Sequence, residues 1–529
     1  MRRRPLVAAS WLASCALTVW VIGAPLWSAR YPVMTDLPFH AAEASIIRHY
    51  LDPTWHFEEQ FTPQLFAVPY LTSYLVAVVA MFFVDAVVAI KVASAVMLAL
   101  LPLGLAVLSR GMGKQPLLGV AGLALVWCGL TTWGFINYMG ALGLFALATG
   151  LALLQVKRPR RARGVAIALT LLALFFTHPF RFPFAICAMI AVAVLLYPGT
   201  RRWRPLLWPT LVPLAVFALW WLTRPTTIQM TMNDPLGLYP ERFDEMPGYL
   251  FDTIFGDEER RLGGKLVRGV AMATGILGLL WVLPRRERPF TRRELWTGLG
   301  SYGVALGCTA AFVLAFLVLP LSIGNWWYVY PREATAAAYL ALALMPPLPS
   351  GRLAGIAGLA LTAWIGWLVV PLTQLHVEAH RAFAKVTQDF TAILEHIPKA
   401  PKLLYLVVDH HQAPTRRAPW IHLPAYVQAL KGGWLSFHFA NFGATPMRYR
   451  SHREVGADVP PRVPDRWEWT PEVFDVRQHG AYFEWFLIRK EVDPWRLVAA
   501  DPSIELVARE GTWWLYKRGD HVERPRRRR

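Results

Sequence analysis

Charged residues are scarce in this sequence, and acidic residues are the scarcer kind. Only 17% of the 529 residues are charged, with 35 acidic residues against 54 basic ones. Ordinary soluble domains carry about 25% charged residues. More than half of this chain, 55%, is hydrophobic instead. This composition excludes a string of soluble domains and predicts a membrane protein.

Cysteine is also rare, with four residues in the whole chain. Cys15, Cys128, Cys187 and Cys308 lie inside apolar tracts, far from one another. Their separation excludes the closely spaced pairs of a zinc site. The chain after Cys308 contains none, which excludes an internal disulfide there. We expect all four to act as small hydrophobic side chains in helices.

The basic surplus gives a net charge of +19, which could indicate nucleic-acid binding. The excess sits, however, in short runs between apolar tracts, at 2–4, 157–163, 201–204 and 285–293. Such runs fix the orientation of membrane helices, because loops rich in Lys and Arg stay in the cytoplasm. No nucleic-acid motif accompanies them, so no nucleic-acid partner is expected.

Long apolar tracts recur along the chain, many of them at the length of about 18 to 25 residues that crosses a bilayer. The first tract is longer than the apolar core of a signal peptide, so a retained span with the N-terminus inside is predicted. The sequence predicts a polytopic α-helical membrane protein with about 11 transmembrane helices. The spans are expected near 5–27, 86–109, 116–133, 138–156, 164–178, 183–198, 206–223, 266–284, 296–320, 334–347 and 353–371.

One apolar tract, 65–84, is left out of that count. Counting it as a span would put the basic run 157–163 outside, against the charge rule. With Pro69 near its start, it is predicted to be a helix on the outer surface or a re-entrant helix. The segment after 371 then lies outside the cytoplasm, and the chain belongs in the cytoplasmic (inner) membrane.

The composition changes after the last span, which predicts two domains. Residues 1–375 form the transmembrane domain, with an outer loop at 28–85, and residues 376–529 form a soluble α/β domain outside the cytoplasm. The basic tail 526–529 is expected to be disordered. Strands are expected at 403–408, 483–488, 504–507 and 513–516.

The first outer loop carries the best candidates for chemistry. Asp36 follows the first span closely, and His40 and Glu43 share one face if a helix begins after Pro38. An acid, an imidazole and a second carboxylate could take a proton from a hydroxyl group or hold a divalent cation. The alternative is structural, since Asp36 and Pro38 could simply start a turn or cap a helix.

This arrangement resembles the GT-C glycosyltransferases, most closely the bacterial protein O-mannosyltransferase and aminoarabinose transferase types. The resemblance rests on a first span, an outer loop opening with Asp36 and His40, a surface helix at 65–84 and an outer C-terminal domain. It implies that Asp36 serves the acceptor. The loop reads Asp-Leu-Pro-Phe-His from Asp36, whereas many members have a paired Asp-Glu.

The resemblance also implies transfer of a sugar from a polyprenyl-phosphate donor to a lipid, glycan or protein acceptor. Such a reaction needs cations for the departing phosphate and a groove for the lipid tail. Other predicted outer loops offer suitable groups, and each also has a structural alternative as an aromatic belt or a contact with membrane lipids. The donor or phosphate candidates are Arg332, Arg224, His178, Arg181, Asn137 and Tyr138.

In the C-terminal domain, four polar or aromatic side chains are candidates for a surface that faces the membrane: His422, Tyr426, His438 and Asn441. No cofactor is required by the sequence, although Asp36 could contribute to a divalent cation site.

Two other classes of function remain open. A transporter would carry ionisable or helix-breaking positions in the middle of paired spans, and these are sparse here. A non-catalytic envelope assembly or polymer-binding protein could use the same scaffold, because a fold does not dictate function. The neutral character of the loop with Asn137 and Tyr138 favours that alternative.

Overall fold

The structure, a computed structural model, describes residues 3–224, 235–252, 256–282, 291–324, 326–410, 418–442, 445–450 and 468–519. The predicted tail 526–529 and most of the basic run 285–293 lie outside these residues, and nothing is said of the side chain of Asn441.

The described chain is mostly helical. The helices are α1 Arg3–Trp27, α2 Leu37–His49, α3 Phe57–Gln60, α4 Thr72–Ala80, α5 Ala86–Gly111, α6 Gly129–Trp133, α7 Ile136–Lys157, α8 Arg161–Thr177, α9 Phe182–Thr200, α10 Leu207–Thr223, α11 Arg242–Phe251, α12 Asp257–Val282, α13 Arg292–Val318, α14 Val329–Ala341, α15 Ala354–Val386, α16 Gln388–Glu395, α17 Ala425–Lys431 and α18 Val476–His479.

Eight helical segments among the described residues are long and apolar enough to cross a membrane. Each overlaps one of the predicted spans, so the chain is a multi-pass membrane protein. The eight are Pro5–Trp27, Ala86–Gly111, Ile136–Lys157, Pro179–Thr200, Arg204–Thr223, Asp257–Val282, Arg292–Val318 and Ala354–Val386.

The other three predicted spans are shorter, so the count of eleven is not confirmed. The tract 116–133 forms a 3₁₀ helix at Pro116–Leu125 followed by the five-residue α6. Gly119 and Gly122 press this 3₁₀ segment against the backbone of α5, where a Cβ on Gly119 would lie 2.4 Å from the Pro102 carbonyl oxygen. The tract 164–178 forms α8, of 17 residues. The tract 334–347 forms α14, of 13 residues, and a short 3₁₀ turn.

The tract 65–84 contains only the nine-residue α4. At about 1.5 Å per residue such a helix is roughly 14 Å long, about half of a bilayer core. As predicted, this tract does not supply a spanning helix.

The chain divides into two compact units, each made of three segments. The helical unit consists of Met1–Ser28, Leu65–Ser73 and Lys91–Ala379. The mixed unit consists of Ala29–Gln64, Tyr74–Ile90 and His380–Arg529. Much of the first outer loop is therefore folded together with the C-terminal part of the chain. The predicted domain limits at 375 and 376 stay a prediction.

Close backbone contacts hold α5 and α7 together in the helical unit. Gly104 and Gly143 face each other so closely that a Cβ on Gly104 would lie 2.1 Å from the Gly143 carbonyl oxygen. Gly111 and Gly150 repeat this contact further along, with 2.5 Å from the Cβ to the Gly150 oxygen. Small residues of this kind allow membrane helices to pack backbone against backbone.

The mixed unit contains a five-stranded sheet with the strand order β3-β2-β5-β7-β6. β2 is parallel to β3 and β5, whereas β7 is antiparallel to β5 and β6. A separate antiparallel pair joins β1 of the first outer loop to β4. The strands are β1 Phe61–Pro63, β2 Lys402–Val407, β3 Trp434–Leu435, β4 Met447–Tyr449, β5 Trp485–Arg489, β6 Ile504–Glu510 and β7 Trp513–Arg518.

The predicted α/β character and the four predicted strands of the C-terminal part are confirmed. The last two strands form the predicted hairpin, in which Gly511 has a positive φ of 56°. The helix predicted at 376–398 is not a separate helix along its whole length. Its first part belongs to α15, which runs from the last span to Val386 without a break, and its second part is α16. The 33 residues of α15 correspond to roughly 50 Å, more than a bilayer core needs.

Candidate functional site

Asp36 stands at the N-terminus of α2 in the mixed unit, but it does not cap the helix. Its side chain forms no capping hydrogen bond, and Pro38 in the first turn has no backbone N–H to offer. The Asp36 carboxylate therefore does not have the helix-capping role that was the structural alternative. The carboxylate is left available for another partner.

That partner is His422. Nδ1 of His422 lies 3.0 Å from Oδ1 of Asp36, and the two side chains are 7% and 15% exposed. Nε2 of His422 is buried and has no hydrogen-bond partner in the described part of the chain. The ring is enclosed by Phe39, Phe437 and Phe439, whose ring centroids lie 4.7 to 6.1 Å away.

His40 and Glu43 lie on α2 as predicted, but each has its own partner. Nδ1 of His40 shares a hydrogen bond of 2.8 Å with the Tyr74 hydroxyl group. Oε2 of Glu43 lies 3.3 Å from Nε2 of His438, and both side chains are almost completely buried. The expected trio of Asp36, His40 and Glu43 therefore does not form a single hydrogen-bonded group.

The Glu43–His438 pair is neutral near neutral pH. Burial raises the pKa of the Glu43 carboxyl to about 8, and burial lowers the pKa of the His438 imidazole to about 3. The Ala440 backbone N–H donates to Nδ1 of His438 at 3.0 Å. The proton of the neutral ring is therefore on Nε2, which faces the Glu43 carboxyl.

The residues that could hold a metal ion do not gather in threes. Among the described residues, no group of three or more His, Cys, Asp or Glu side chains could hold a cation. Asp36 and His422 form a pair only, so the structure defines no resident metal site around Asp36 within that part of the chain.

The helical unit contains a cavity of about 230 Å³ lined by four of its polar side chains, His178, Arg181, Arg332 and Glu333. His178 and Arg181 come from the turn between α8 and α9, and Arg332 and Glu333 from the first turns of α14. The rest of the lining is apolar or aromatic: Phe180, Phe184, Leu319, Ile323, Trp326 and Val329.

One of the two arginines in this cavity is neutralised. Arg181 forms a two-pronged ion pair with Glu333, with Nη1 donating to Oε2 at 2.6 Å and Nη2 to Oε1. The side chains are 5% and 0% exposed. The Arg181 guanidinium also lies over the Tyr138 ring, 4.8 Å from its centroid. This buried pair is a fixed part of the cavity wall.

The other arginine, Arg332, forms no ion pair with a carboxylate of the described residues. Arg332 donates from Nη2 to the Trp327 carbonyl oxygen at 2.7 Å and lies over the Phe135 ring at 4.3 Å. Its Nε has no hydrogen-bond partner in the described segments, and the same is true of both ring nitrogens of His178. The cavity thus offers an oxygen-rich ligand the Arg332 guanidinium, with its Nε–H unpaired among the described residues, and one N–H of the His178 ring.

The remaining predicted residues are in the helical unit, outside the cavity lining. Tyr138 donates to the Arg332 carbonyl oxygen at 2.8 Å, so it supports the first turn of α14. Asn137 bonds to Ser73 through its side-chain oxygen. Arg224 follows α10 and lies over the Trp221 ring at 3.6 Å, with Nη1 lacking a hydrogen-bond partner in the described chain.

Sequence reasoning missed three partnerships. Glu333 follows Arg332 directly in the sequence, but it pairs with Arg181, 152 positions away. The sequence predicts His422 and His438 only on a surface, whereas each lies beside a carboxyl group. His422 bonds to Asp36, and Nε2 of His438 lies 3.3 Å from Oε2 of Glu43. A lone histidine in a distant segment carries no local signal of such a contact.

The fold defines this chain as a multi-pass helical membrane protein with a C-terminal α/β region. No protein-family model matches it, and no curated protein matches it at a significant level. It is similar to the solved structure of ArnT from Cupriavidus metallidurans in the apo state, with 15% identity and a TM-score of 0.49 over 96% of this chain and 98% of that one.

The same ArnT bound to undecaprenyl phosphate is similar at 16% identity, with a TM-score of 0.48 and the same coverage of both chains. ArnT is an aminoarabinose transferase of the GT-C family, the type to which the sequence was compared above.

Proposed function

We propose that this chain is a membrane glycosyltransferase. It takes a sugar from a polyprenyl-phosphate donor and passes it to a lipid, glycan or protein acceptor on the outer face of the cytoplasmic membrane. The N-terminus is inside and the C-terminal region outside, as the distribution of basic runs indicates.

The observation that carries this proposal is the cavity around Arg332. An unmatched guanidinium with apolar and aromatic walls suits an amphipathic ligand with an anionic head, because Arg donates two parallel hydrogen bonds to a phosphate group. The ion pair of Arg181 with Glu333 leaves Arg332 as the cation available to the ligand. A transporter for cations would need the opposite charge.

We assign the phosphate of the donor to Arg332, with His178 beside it as a further hydrogen-bonding group. Removing water from a guanidinium is unfavourable unless a counter-charge replaces it. A phosphate would supply that counter-charge, and the positive group would stabilise the negative charge that grows as the sugar leaves. Tyr138 and Arg181 support this arrangement, and Asn137 and Arg224 are further candidates for contacts with the donor.

We assign the acceptor to Asp36. One carboxylate oxygen is bonded to His422, and the other has no partner in the described chain, so it can accept the proton of an acceptor hydroxyl group. Glu43 carries its proton at neutral pH and is no base there. Together with His40, it fixes α2 beneath Asp36.

The donor assignment is tested by binding of fluorescent undecaprenyl phosphate to the purified full chain in nanodiscs. Arg332→Gln is expected to weaken binding at least tenfold, because it removes the unmatched cation. The matched control is Arg261→Gln in the same unit, an exposed arginine paired with Glu258, which is expected to bind as the wild type does.

Equal binding by all three proteins would show that Arg332 does not hold the phosphate. No binding by the wild type would remove the polyprenyl-phosphate donor altogether. Accumulation of a solute in proteoliposomes without a covalent product would then favour transport. If no solute accumulates, an assembly role would be favoured.

A further inference from the structure

We propose that His422 is a positioning residue for Asp36. In this inference, which rests on the proposed function, the hydrogen bond from Nδ1 fixes one carboxylate oxygen and presents the other to the acceptor. The residue comes from the C-terminal region of the chain, 386 positions after Asp36.

The geometry assigns different tasks to the two oxygens of Asp36. Oδ1 lies 3.0 Å from Nδ1 of His422. Oδ2 has no hydrogen-bond partner among the described residues and is not among their buried unpaired atoms. Oδ2 is thus the oxygen that an acceptor hydroxyl group can reach.

The ring of His422 cannot turn freely. Phe39 packs edge-on against it with centroids 4.7 Å apart, Phe439 edge-on at 5.5 Å, and Phe437 stacks at 6.1 Å. A bond to a side chain that is itself held by packing restricts the carboxylate to one orientation. Such support is what keeps a reacting group within a few tenths of an ångström of a productive position.

The unpaired Nε2 indicates which atom of the ring carries the proton. Nε2 is buried among aromatic rings without a hydrogen-bond partner in the described chain. A proton there would leave a buried donor unsatisfied, whereas a proton on Nδ1 is donated to a carboxylate. His422 therefore holds Asp36 through Nδ1–H and does not itself contact the acceptor.

The bond also explains why the Asp36 carboxylate is not used by its own helix. An aspartate at this position normally accepts from a backbone N–H of the first turn, but Asp36 does not. The hydrogen bond that a structural aspartate would make locally is replaced by one to a distant histidine. A purely local role for Asp36 gives no reason for that exchange.

The reaction step balances with these groups. The proton of the acceptor hydroxyl group passes to Oδ2 of Asp36, and the hydroxyl oxygen forms a bond to the anomeric carbon of the sugar. The bond from that carbon to the phosphate oxygen breaks, and its electron pair leaves with the lipid phosphate. The proton on Asp36 is then lost to water.

The test uses variants that differ in the position of one N–H group. The side-chain nitrogen of asparagine is attached to Cγ, as Nδ1 of histidine is, whereas that of glutamine lies one bond further out. His422→Asn can therefore donate to Asp36, and His422→Gln and His422→Leu cannot do so from the same place. The exposed His396, paired with Glu510 in the same unit, supplies the control His396→Asn.

The assay follows release of undecaprenyl phosphate from a panel of undecaprenyl-phosphate hexoses and pentoses, with envelope lipids and glycans as acceptors. We expect kcat to fall about 10- to 100-fold in His422→Gln and His422→Leu with KM for the donor unchanged. His422→Asn is expected to stay within about fivefold of the wild type. His422→Leu combined with Asp36→Asn should be no slower than Asp36→Asn alone, because both remove one function.

Equal rates for His422→Asn and His422→Gln would overturn the inference, and this comparison does not depend on recovering the leucine variant. Full activity of His422→Gln, in a protein that loses activity in Asp36→Asn, would overturn the positioning role alone. A wild type that releases no lipid phosphate would overturn the proposed function and this inference with it.

Discussion

The buried pair of Glu43 and His438 predicts a distinctive dependence of stability on pH. The pKa of Glu43 is raised from 4.5 to about 8, so the folded protein holds a proton that the unfolded chain releases above pH 4.5. The contribution of Glu43 to the free energy of unfolding therefore falls as the pH rises from 4.5 to about 8. The pKa of His438 is lowered from 6.5 to about 3, so its contribution falls as the pH drops below 6.5.

The two effects cancel between pH 4.5 and 6.5, and stability declines on either side of that plateau. Each unit of pH outside it changes the free energy of unfolding by about 1.4 kcal/mol. From pH 6.5 to pH 8 the wild type should lose about 2 kcal/mol through Glu43. For a unit of this size, that loss corresponds to a Tm lower by roughly 4 to 8 °C.

Glu43→Gln removes the titrating carboxyl and keeps an oxygen that can accept from Nε2 of His438. We expect this variant to lose the decline above pH 6.5. It should instead become less stable as the pH falls below 6.5, because Glu43 no longer offsets the effect of His438 there. The measurement is Tm in detergent by tryptophan fluorescence between pH 5 and pH 8. Glu505→Gln, on an exposed part of β6, is the control and should follow the wild type. If Tm depends on pH in the same way in the wild type and in Glu43→Gln, Glu43 is not a buried carboxyl group that keeps its proton at neutral pH.

Three further predictions concern the helical unit. Glu333→Gln should destabilise this unit by about 3 to 5 kcal/mol, because Arg181 is left as an uncompensated buried charge. The measurement is Tm, and the double variant with Arg181→Gln should recover part of the loss. Gly143→Val should prevent the close contact of α5 with α7, since a Cβ there would lie 2.4 Å from the Leu100 backbone; monodisperse protein in size-exclusion chromatography would contradict this. Arg332→Gln should leave Tm nearly unchanged while weakening undecaprenyl phosphate binding, and a large fall in Tm would mean a structural role.

Most of the membrane helices could be predicted, because each spanning helix corresponds to one continuous apolar tract of the sequence. The tract 116–133 is the clearest exception. The tract 116–133 is apolar because it is buried inside the protein, where Gly119 and Gly122 contact α5, and apolarity alone does not distinguish protein from lipid. The strands of the C-terminal region were found from their local patterns in the same way.

Sequence reasoning proposed candidate residues only where the signal is local. Asp36 stands out because it follows a span and precedes a helix, and Arg332 because a cation at a helix N-terminus needs a partner. The partners themselves could not be read from the sequence. His422 lies 386 positions from Asp36, and Arg181 lies 152 positions from Glu333, so only the folded chain pairs them.

We propose above that the chain transfers a sugar from a lipid phosphate with the help of Asp36. The most direct measurement is release of undecaprenyl phosphate from the labelled donor panel by wild type and Asp36→Asn protein, with donor binding measured in parallel. We expect release by the wild type that disappears in Asp36→Asn while binding is kept. Equal release by both proteins, or binding without release by the wild type, would contradict it.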